Sequence, residues 1–391
     1  MQTRFFMLLQ GTAILLLAGF IIVISGSLTA AQGNNQPLPG PAVAPPPANH
    51  LAFVTFPDTG ELQIAGRPEV ATQARPLAAN GRPRPNVPAR TLFAQPDPAL
   101  CQTDSTHAAP HGTALILQYN CKTTLFARLV EADGASSHIT TFPQGYFLDW
   151  SPDGEWFLFR RLADEQVWLV PIVEHYQERP LNLPDGTYNA AFSPDGQQVV
   201  YAASRGLGLG SELGTLTLAT DRRLVRQQFP QQVVAYPNWS PDGSQMVYIL
   251  MADSNIPFTV GELWLADAVG QPVQRLDDID AGRGYAPVWT PDGQHLVYVR
   301  RENPESRRAN YDPLALHSNL YQVSIRTRQV TPLTHFEESL VYDAVWSPAG
   351  DQLAFTANDA VWVLEPGQSP LQVSPPGLAR HPVWLSLDGG E

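Results

Sequence analysis

Four arginines stand close together in the stretch "RRENPESRRANYDPLALHSN" from Arg300, inside a chain of 391 residues with a formal net charge of −13. A guanidinium presents a rigid fork of donors that fits a carboxylate two-pronged, so Arg300, Arg301, Arg307 and Arg308, with Tyr311 beside them, are candidates for holding a partner's acidic groups. Glu302 and Glu305 lie among them, and a loop that satisfies its own charges reads equally well. His107 and His111 in "THAAPHG" are of a type that ligates metal, but two histidines in a proline-bearing segment read first as loop. "LDDIDAGRG", with Asp277, Asp278 and Asp280, gathers carboxylates without the spacing of a twelve-residue calcium loop. No metal and no cofactor is expected. There is no Gly-x-Ser-x-Gly elbow, no His-Glu-x-x-His and no Walker loop, and "GLGLGSELG" from Gly206 lacks the lysine of a nucleotide site. The acidic balance gives no basic footprint for nucleic acid.

What must position these groups is a repeat. The chain writes "DWSPDGEWFLFRR" from Asp149, "AFSPDGQQVVYAAS" from Ala191, "NWSPDGSQMVYIL" from Asn238, "VWTPDGQHLVYVRR" from Val288 and "VWSPAGDQLAFTAN" from Val345, with a worn copy, "VWLSLDGGE", at the C-terminus. Proline fixes φ for the first central position of a type I turn, Asp tolerates the second, and Gly takes the left-handed position that follows. Asp153, Gly154, Asp195, Gly196, Asp242, Gly243, Asp292 and Gly293 are therefore structural turn residues between strands. The aromatics Trp150, Phe192, Trp239, Trp289, Trp346 and Trp384 recur at intervals of roughly 40 to 60 residues, the length of a four-stranded propeller blade. Each aromatic fills the gap between blades rather than stacking on a ligand. The sequon Asn238-Trp239-Ser240 falls on an inner strand, where a glycan would not fit. Thirty-seven prolines, 29 glycines and only 16% charged residues suit an all-β chain of many turns.

The pattern W-S-P-D-G-x-x-apolar-x-Tyr/Phe resembles the repeat of TolB-like β-propellers and of the propeller domains in prolyl-oligopeptidase relatives. The resemblance implies an all-β propeller over about residues 145 to 391 and says little about function. No separate α/β domain precedes the repeats, which departs from TolB, and no hydrolase domain follows them, so the peptidases' activity does not carry over. Extended to the N-terminal part, the expectation is seven four-stranded blades, with six as the alternative. "RHPVWLSLDG" supplies the innermost strand of a closing blade whose other strands come from residues near 51 to 78, which protects edges that an open array would expose. Residues 91 to 142 form a further, divergent blade. It contains Cys101 and Cys121, an even pair expected to form a disulfide that stabilises the fold by roughly 3 kcal/mol.

The domain reading is a signal peptide or membrane anchor over residues 1–31, a Pro-rich linker over 32–49 and the propeller over 50–391. The apolar run from Phe5 to Ile24 followed by "SGSLTAAQG" is an export signal, and about 20 apolar residues left uncleaved would span a bilayer. The protein is thus expected to be periplasmic or extracellular, tethered if uncleaved. Three successive blades carry long second-to-third strand loops, from Ser204, Leu250 and Arg300, on the face opposite the Pro-Asp-Gly corners. Such loops on a rigid scaffold suggest a non-enzymatic binder of a protein or peptide, through the long-loop face or the axial opening. The alternative is a hydrolase or lyase for sugar or peptide, with carboxylates near the axis.

Overall fold

The computed structural model describes residues 37–42 and 50–385, apart from the stretches 57–70, 77–89, 95–100, 111–113, 122–123, 133–136, 143, 173–175, 207, 282–284 and 375–377. The segment 1–36, with the signal or anchor and the start of the linker, lies outside them, as does His111. Among the described residues no helix is long and apolar enough to cross a membrane.

Each corner is built by its own four residues. Ser151 Oγ donates to Asp153 Oδ1 (2.5 Å), and the Ser193–Asp195, Ser240–Asp242 and Thr290–Asp292 pairs repeat the contact at the same distance. The same carboxylates accept the backbone N–H of Glu155, Gln197, Ser244 and Gln294. Those donors hold the Asp242 carboxyl down to about 2 and lower that of Asp292. Gly154, Gly196, Gly243 and Gly293 sit at φ of +71°, +70°, +70° and +67°, where a Cβ would be strained.

Among the described residues the strands form seven four-stranded antiparallel sheets, five of which have such a corner between their first and second strands. Blade I consists of Leu378–Leu385, His50–Phe56, Ala71–Pro76 and Arg90–Ala94, from the axis outward, and blade II of Cys101–Ala108, Ala114–Cys121, Thr124–Ala132 and Ser137–Phe142. Blade III starts at Gly145–Trp150, blade IV at Thr187–Phe192, blade V at Gln232–Trp239, blade VI at Val288–Trp289 and blade VII at Val341–Trp346. One apolar cluster sits at each junction. Trp156 and Leu158 meet Phe192 and Tyr201 between blades III and IV, and Ala52 and Val383 meet Leu115 and Val130 between I and II. The remaining five clusters fill the other junctions, so the ring closes. At about 1.5–3 kcal/mol per buried Val, Leu, Ile or Phe, these junctions are the core of the molecule. Trp150, Phe192, Trp239, Trp289 and Trp384 are all buried within them.

Closure uses both ends of the described chain: His50 lies opposite Leu385 and Phe56 opposite Leu378. The outer strand of blade I is Arg90–Ala94, which corrects the assignment of residues 91–94 to blade II. The four strands of blade II fit between residues 101 and 142 without it, and Arg90–Ala94 pairs instead with Ala71–Pro76. The register places Cys101 directly across from Cys121.

Residues 37–42, in the Pro-rich linker, lie across the corners of blades III and IV. Gly40 N–H donates to the Asp153 carboxylate, Ala42 N–H to Pro194 O (3.1 Å) and Gln197 Nε2 to Pro39 O (3.4 Å), while Leu38 packs against the III–IV cluster. Gly196 is where this strap presses closest: a Cβ there would stand 2.4 Å from Gly40 O.

Replacing Gly243 with Val forces a β-branched residue into the left-handed region and is expected to lower stability by about 1–3 kcal/mol. Gly196→Val is expected to cost more, because it also lifts the strap, and the excess should vanish when residues 37–42 are replaced by a Gly/Ser sequence. Denaturant midpoints of Gly196→Val and Gly243→Val, each with and without the replaced strap, check this. Removing residues 378–391 is expected to open the ring at blade I and expose strand edges, read as aggregation in size-exclusion chromatography; a stable monomer would contradict the closure.

Candidate site in the axial pocket

Inner strands carry bulges where they face the axis. Their pairing shifts between Thr103 and Ser105, Phe147 and Asp149, Thr187 and Asn189, Ala235 and Asn238, and Tyr342 and Val345. A bulge puts two residues opposite one and re-aims a side chain. At two of these places, and at the pairing shift of Leu378–Leu385 opposite Ala52 and Val54, the backbone is strained: Tyr236, Asp343 and His381 have φ of +50°, +55° and +57°. They occupy the same place in the repeat, three residues before Trp239, Trp346 and Trp384.

The result is an axial pocket of about 950 Å³, its wall made by all seven blades. The inner strands are stitched to one another around it. Trp150 Nε1 donates to His107 O (3.0 Å), Tyr188 Oη to Val234 O (2.5 Å), Thr106 Oγ1 to His381 O (2.7 Å) and Trp384 Nε1 to Val345 O (3.1 Å). Gln118 accepts from Phe147 N–H (2.8 Å) and donates to Gly145 O (2.7 Å).

Ionisable groups converge on one side. His381 Nδ1 and Asp343 Oδ2 are hydrogen-bonded at 2.6 Å, and His107 Nε2 is hydrogen-bonded to Ser105 Oγ at 2.8 Å. The His107 ring stacks on Phe147 with centroids 4.4 Å apart. Burial pushes its pKa down to about 4, Asp343 opposing and His381 adding to the shift, so His107 is neutral at pH 7. Burial raises Asp149 to about 7 against the Phe192 N–H that donates to it (2.8 Å). Asp104 is raised by burial too, His381 working against it. Tyrosines 146, 188, 236 and 285 share the wall. The chemistry available is a carboxylate-oriented imidazole, a neutral imidazole beside a hydroxyl, and carboxylates of unequal proton affinity.

The sequence-predicted residues lie elsewhere, on the long-loop face. The loops of blades V and VI do stand side by side, since Phe258 N–H donates to Asn310 O (3.2 Å). Arg301 is a correction: its side chain is 1% exposed and pairs with Asp280 at 3.1 Å, with further bonds to Asn310 Oδ1 and Phe258 O. Its pairing makes it the tie between the two loops rather than a group offered to a partner. Arg300 pairs with Asp277 (3.2 Å) and lies over Tyr321, and Arg308 pairs with Asp312 (2.9 Å) within its own loop. Arg307 and Tyr311 are exposed. Asp277, Asp278 and Asp280 each meet an arginine, which accounts for the calcium-like run. Among the described residues no group of three or more His, Cys, Asp or Glu could hold a metal ion.

His107 corrects the loop reading, because it lies on the inner strand Cys101–Ala108 and faces the axis. Asn238 of the sequon lines the same pocket. A signal for the site was present: aligned on the aromatic, the preceding fourth and third positions read Tyr146–Phe147, Tyr188–Asn189, Ala235–Tyr236, Tyr285–Ala286, Tyr342–Asp343 and Arg380–His381.

Since the fold raises the Asp149 carboxyl above its unfolded value of 3.8, it favours the protonated form. That stability is complete below about pH 4 and is lost as pH rises through about 7. Asp149→Asn keeps an oxygen for the Phe192 N–H and carries no charge. It is expected to melt higher than the wild type at about pH 8, with the gap closing towards about pH 4. Melting curves at both values check this; an equal gap would mean that the carboxyl is not held up.

No family model matches the chain. It is 29% identical over 111 residues to an uncharacterised protein of Agrobacterium fabrum, a match over 26% of this chain and only 38% of that protein's length. Among solved structures it is similar to a prolyl endopeptidase (TM-score 0.54, 10% identity, 88% of this chain and 50% of that one). It is also similar to hydrazine synthase of Kuenenia stuttgartiensis (TM-score 0.50, 18% identity, 68% and 77%). TolB of Acinetobacter baumannii shares 16% identity over 83% of this chain and 80% of its own, at a TM-score of 0.45. At these identities the likeness is one of fold.

Proposed function

We propose that the protein is an exported, non-enzymatic binding propeller that receives a peptide, or an exposed segment of a protein partner, in its axial pocket. One observation carries the reading: strained, bulged inner strands from successive blades aim aromatic and polar side chains into a single cavity of about 950 Å³. The export signal supports a periplasmic or extracellular setting, and the cross-strand cysteine pair supports a disulfide formed there. The long-loop face, with Arg307 and Tyr311 exposed, supplies a second contact area.

A second reading is favoured by the His381–Asp343 pair, which orients an imidazole as a general acid or base for a lyase or hydrolase acting on sugar or peptide.

The test is selection of random dodecapeptides displayed on phage by the purified full-length chain. Ala286 is exposed on the pocket wall, so Ala286→Trp obstructs the cavity without disturbing a junction. Enriched peptides are expected to bind the Trp variant at least about tenfold more weakly, while a variant shortened between Glu302 and Ser318 keeps part of its affinity. Peptides indifferent to Ala286→Trp would overturn the axial reading, and cleavage of bound peptides, seen by mass spectrometry, would favour the catalytic one.

A further inference from the structure

We infer that the axial pocket selects a positively charged group, an amine or a guanidinium, on the segment that enters it. The inference rests on the axial-pocket reading and adds the chemical class of the ligand.

Among the described residues three carboxylates, Asp104, Asp149 and Asp343, line the cavity, and no lysine or arginine does. Elsewhere this chain neutralises its carboxylates with guanidinium groups: Asp277 with Arg300, Asp278 with Arg275, Asp280 with Arg301 and Asp359 with Arg380. In the pocket the arrangement differs. Asp343 has an imidazole as its partner and Asp149 a backbone N–H. Burial raises both Asp104 and Asp149, which is the mark of carboxylates short of compensating positive charge. His107 is neutral at pH 7 and adds none. A cation entering the cavity would supply what the wall lacks.

The aromatic wall points the same way. Tyr146, Tyr188, Tyr236 and Tyr285, with Phe147, ring the cavity, and aromatic faces attract a cation, more strongly as water is excluded. An anion would meet carboxylates and the negative faces of the rings. The net charge of −13 deepens the negative potential of a cleft with low-dielectric walls.

The test uses three blocked pentapeptides, acetylated and amidated, identical except for a central Arg, Gln or Glu, titrated into the full-length chain and followed by tryptophan fluorescence, since Trp150, Trp346 and Trp384 line the cavity. The Arg peptide is expected to bind at least about tenfold tighter than the Gln peptide. Its advantage should shrink between about 50 mM and about 500 mM salt, because screening weakens the attraction. Asp104→Asn is expected to lower the preference severalfold, and Asp104→Asn with Asp343→Asn to abolish it, circular dichroism confirming the fold of each. If all three peptides bind alike and all are lost in Ala286→Trp, the pocket binds peptides and the charge preference is wrong. Preference for Glu overturns it as well. If none binds at millimolar concentration, both this inference and the axial reading fall.

Discussion

Pairing between His50–Phe56 and Leu378–Leu385 is the constraint on which the rest depends. A blade is a small twisted sheet that cannot bury both faces alone; each finds its apolar cover only in its neighbours. An array of such sheets has two open ends unless the last meets the first. Here the axial strand of blade I comes from one end of the described chain and its three companions from the other. That closure turns seven marginal sheets into a ring whose junctions are all filled, and it sets His381 across from Asp343, Thr106 and Tyr342.

The ring stores strain at its centre and distributes the cost over its circumference. Tyr236, Asp343 and His381 hold left-handed backbone that a non-glycine residue leaves unless its surroundings over-determine it. The surroundings do so here: His381 N–H donates to Thr356 Oγ1 (3.3 Å) and Tyr236 N–H to Asn189 Oδ1 (3.1 Å), each from an adjoining blade. Bulge, strain and inter-blade bond are parts of one device that points side chains at the axis. The corners between first and second strands are the reverse case. Their left-handed positions are glycine and cost little, so the repeat could keep them almost unchanged from blade to blade.

The two faces are correspondingly unlike. The corner face is regular and is partly covered by the strap of residues 37–42, whereas the opposite face carries the long loops joined through Arg301 and Asp280. A fully buried ion pair of that kind is weak evidence for stability, but removing one partner would leave a charge stranded, so it fixes how the two loops meet. Of the arginines that remained outside, Arg300 is paired with Asp277 on the outer strand of blade V and Arg308 with Asp312 of its own loop.

The sequence by itself determined the fold class, the corners and the closing strand. Ser-Pro-Asp-Gly is a local instruction: proline sets one dihedral, glycine permits another, and the Ser hydroxyl bonds the Asp two residues on. Residues 101–142 were legible as a divergent blade, but the share of residues 91–94 was misplaced, because there no corner motif marks the boundary. The pocket was decided by tertiary structure. His107 and His381 are 274 positions apart in sequence, and Asp343 belongs to a third blade; nothing local relates them until the ring closes. Arg301 and Arg307 look interchangeable in "RRENPESRR", yet the strand's alternation sends Arg301 inward to Asp280 while the loop leaves Arg307 in water. Turn chemistry is written over four neighbouring residues, so it can be read from one chain; a site on the axis of a propeller is written one or two residues per blade, and only the packing of all the blades brings it together.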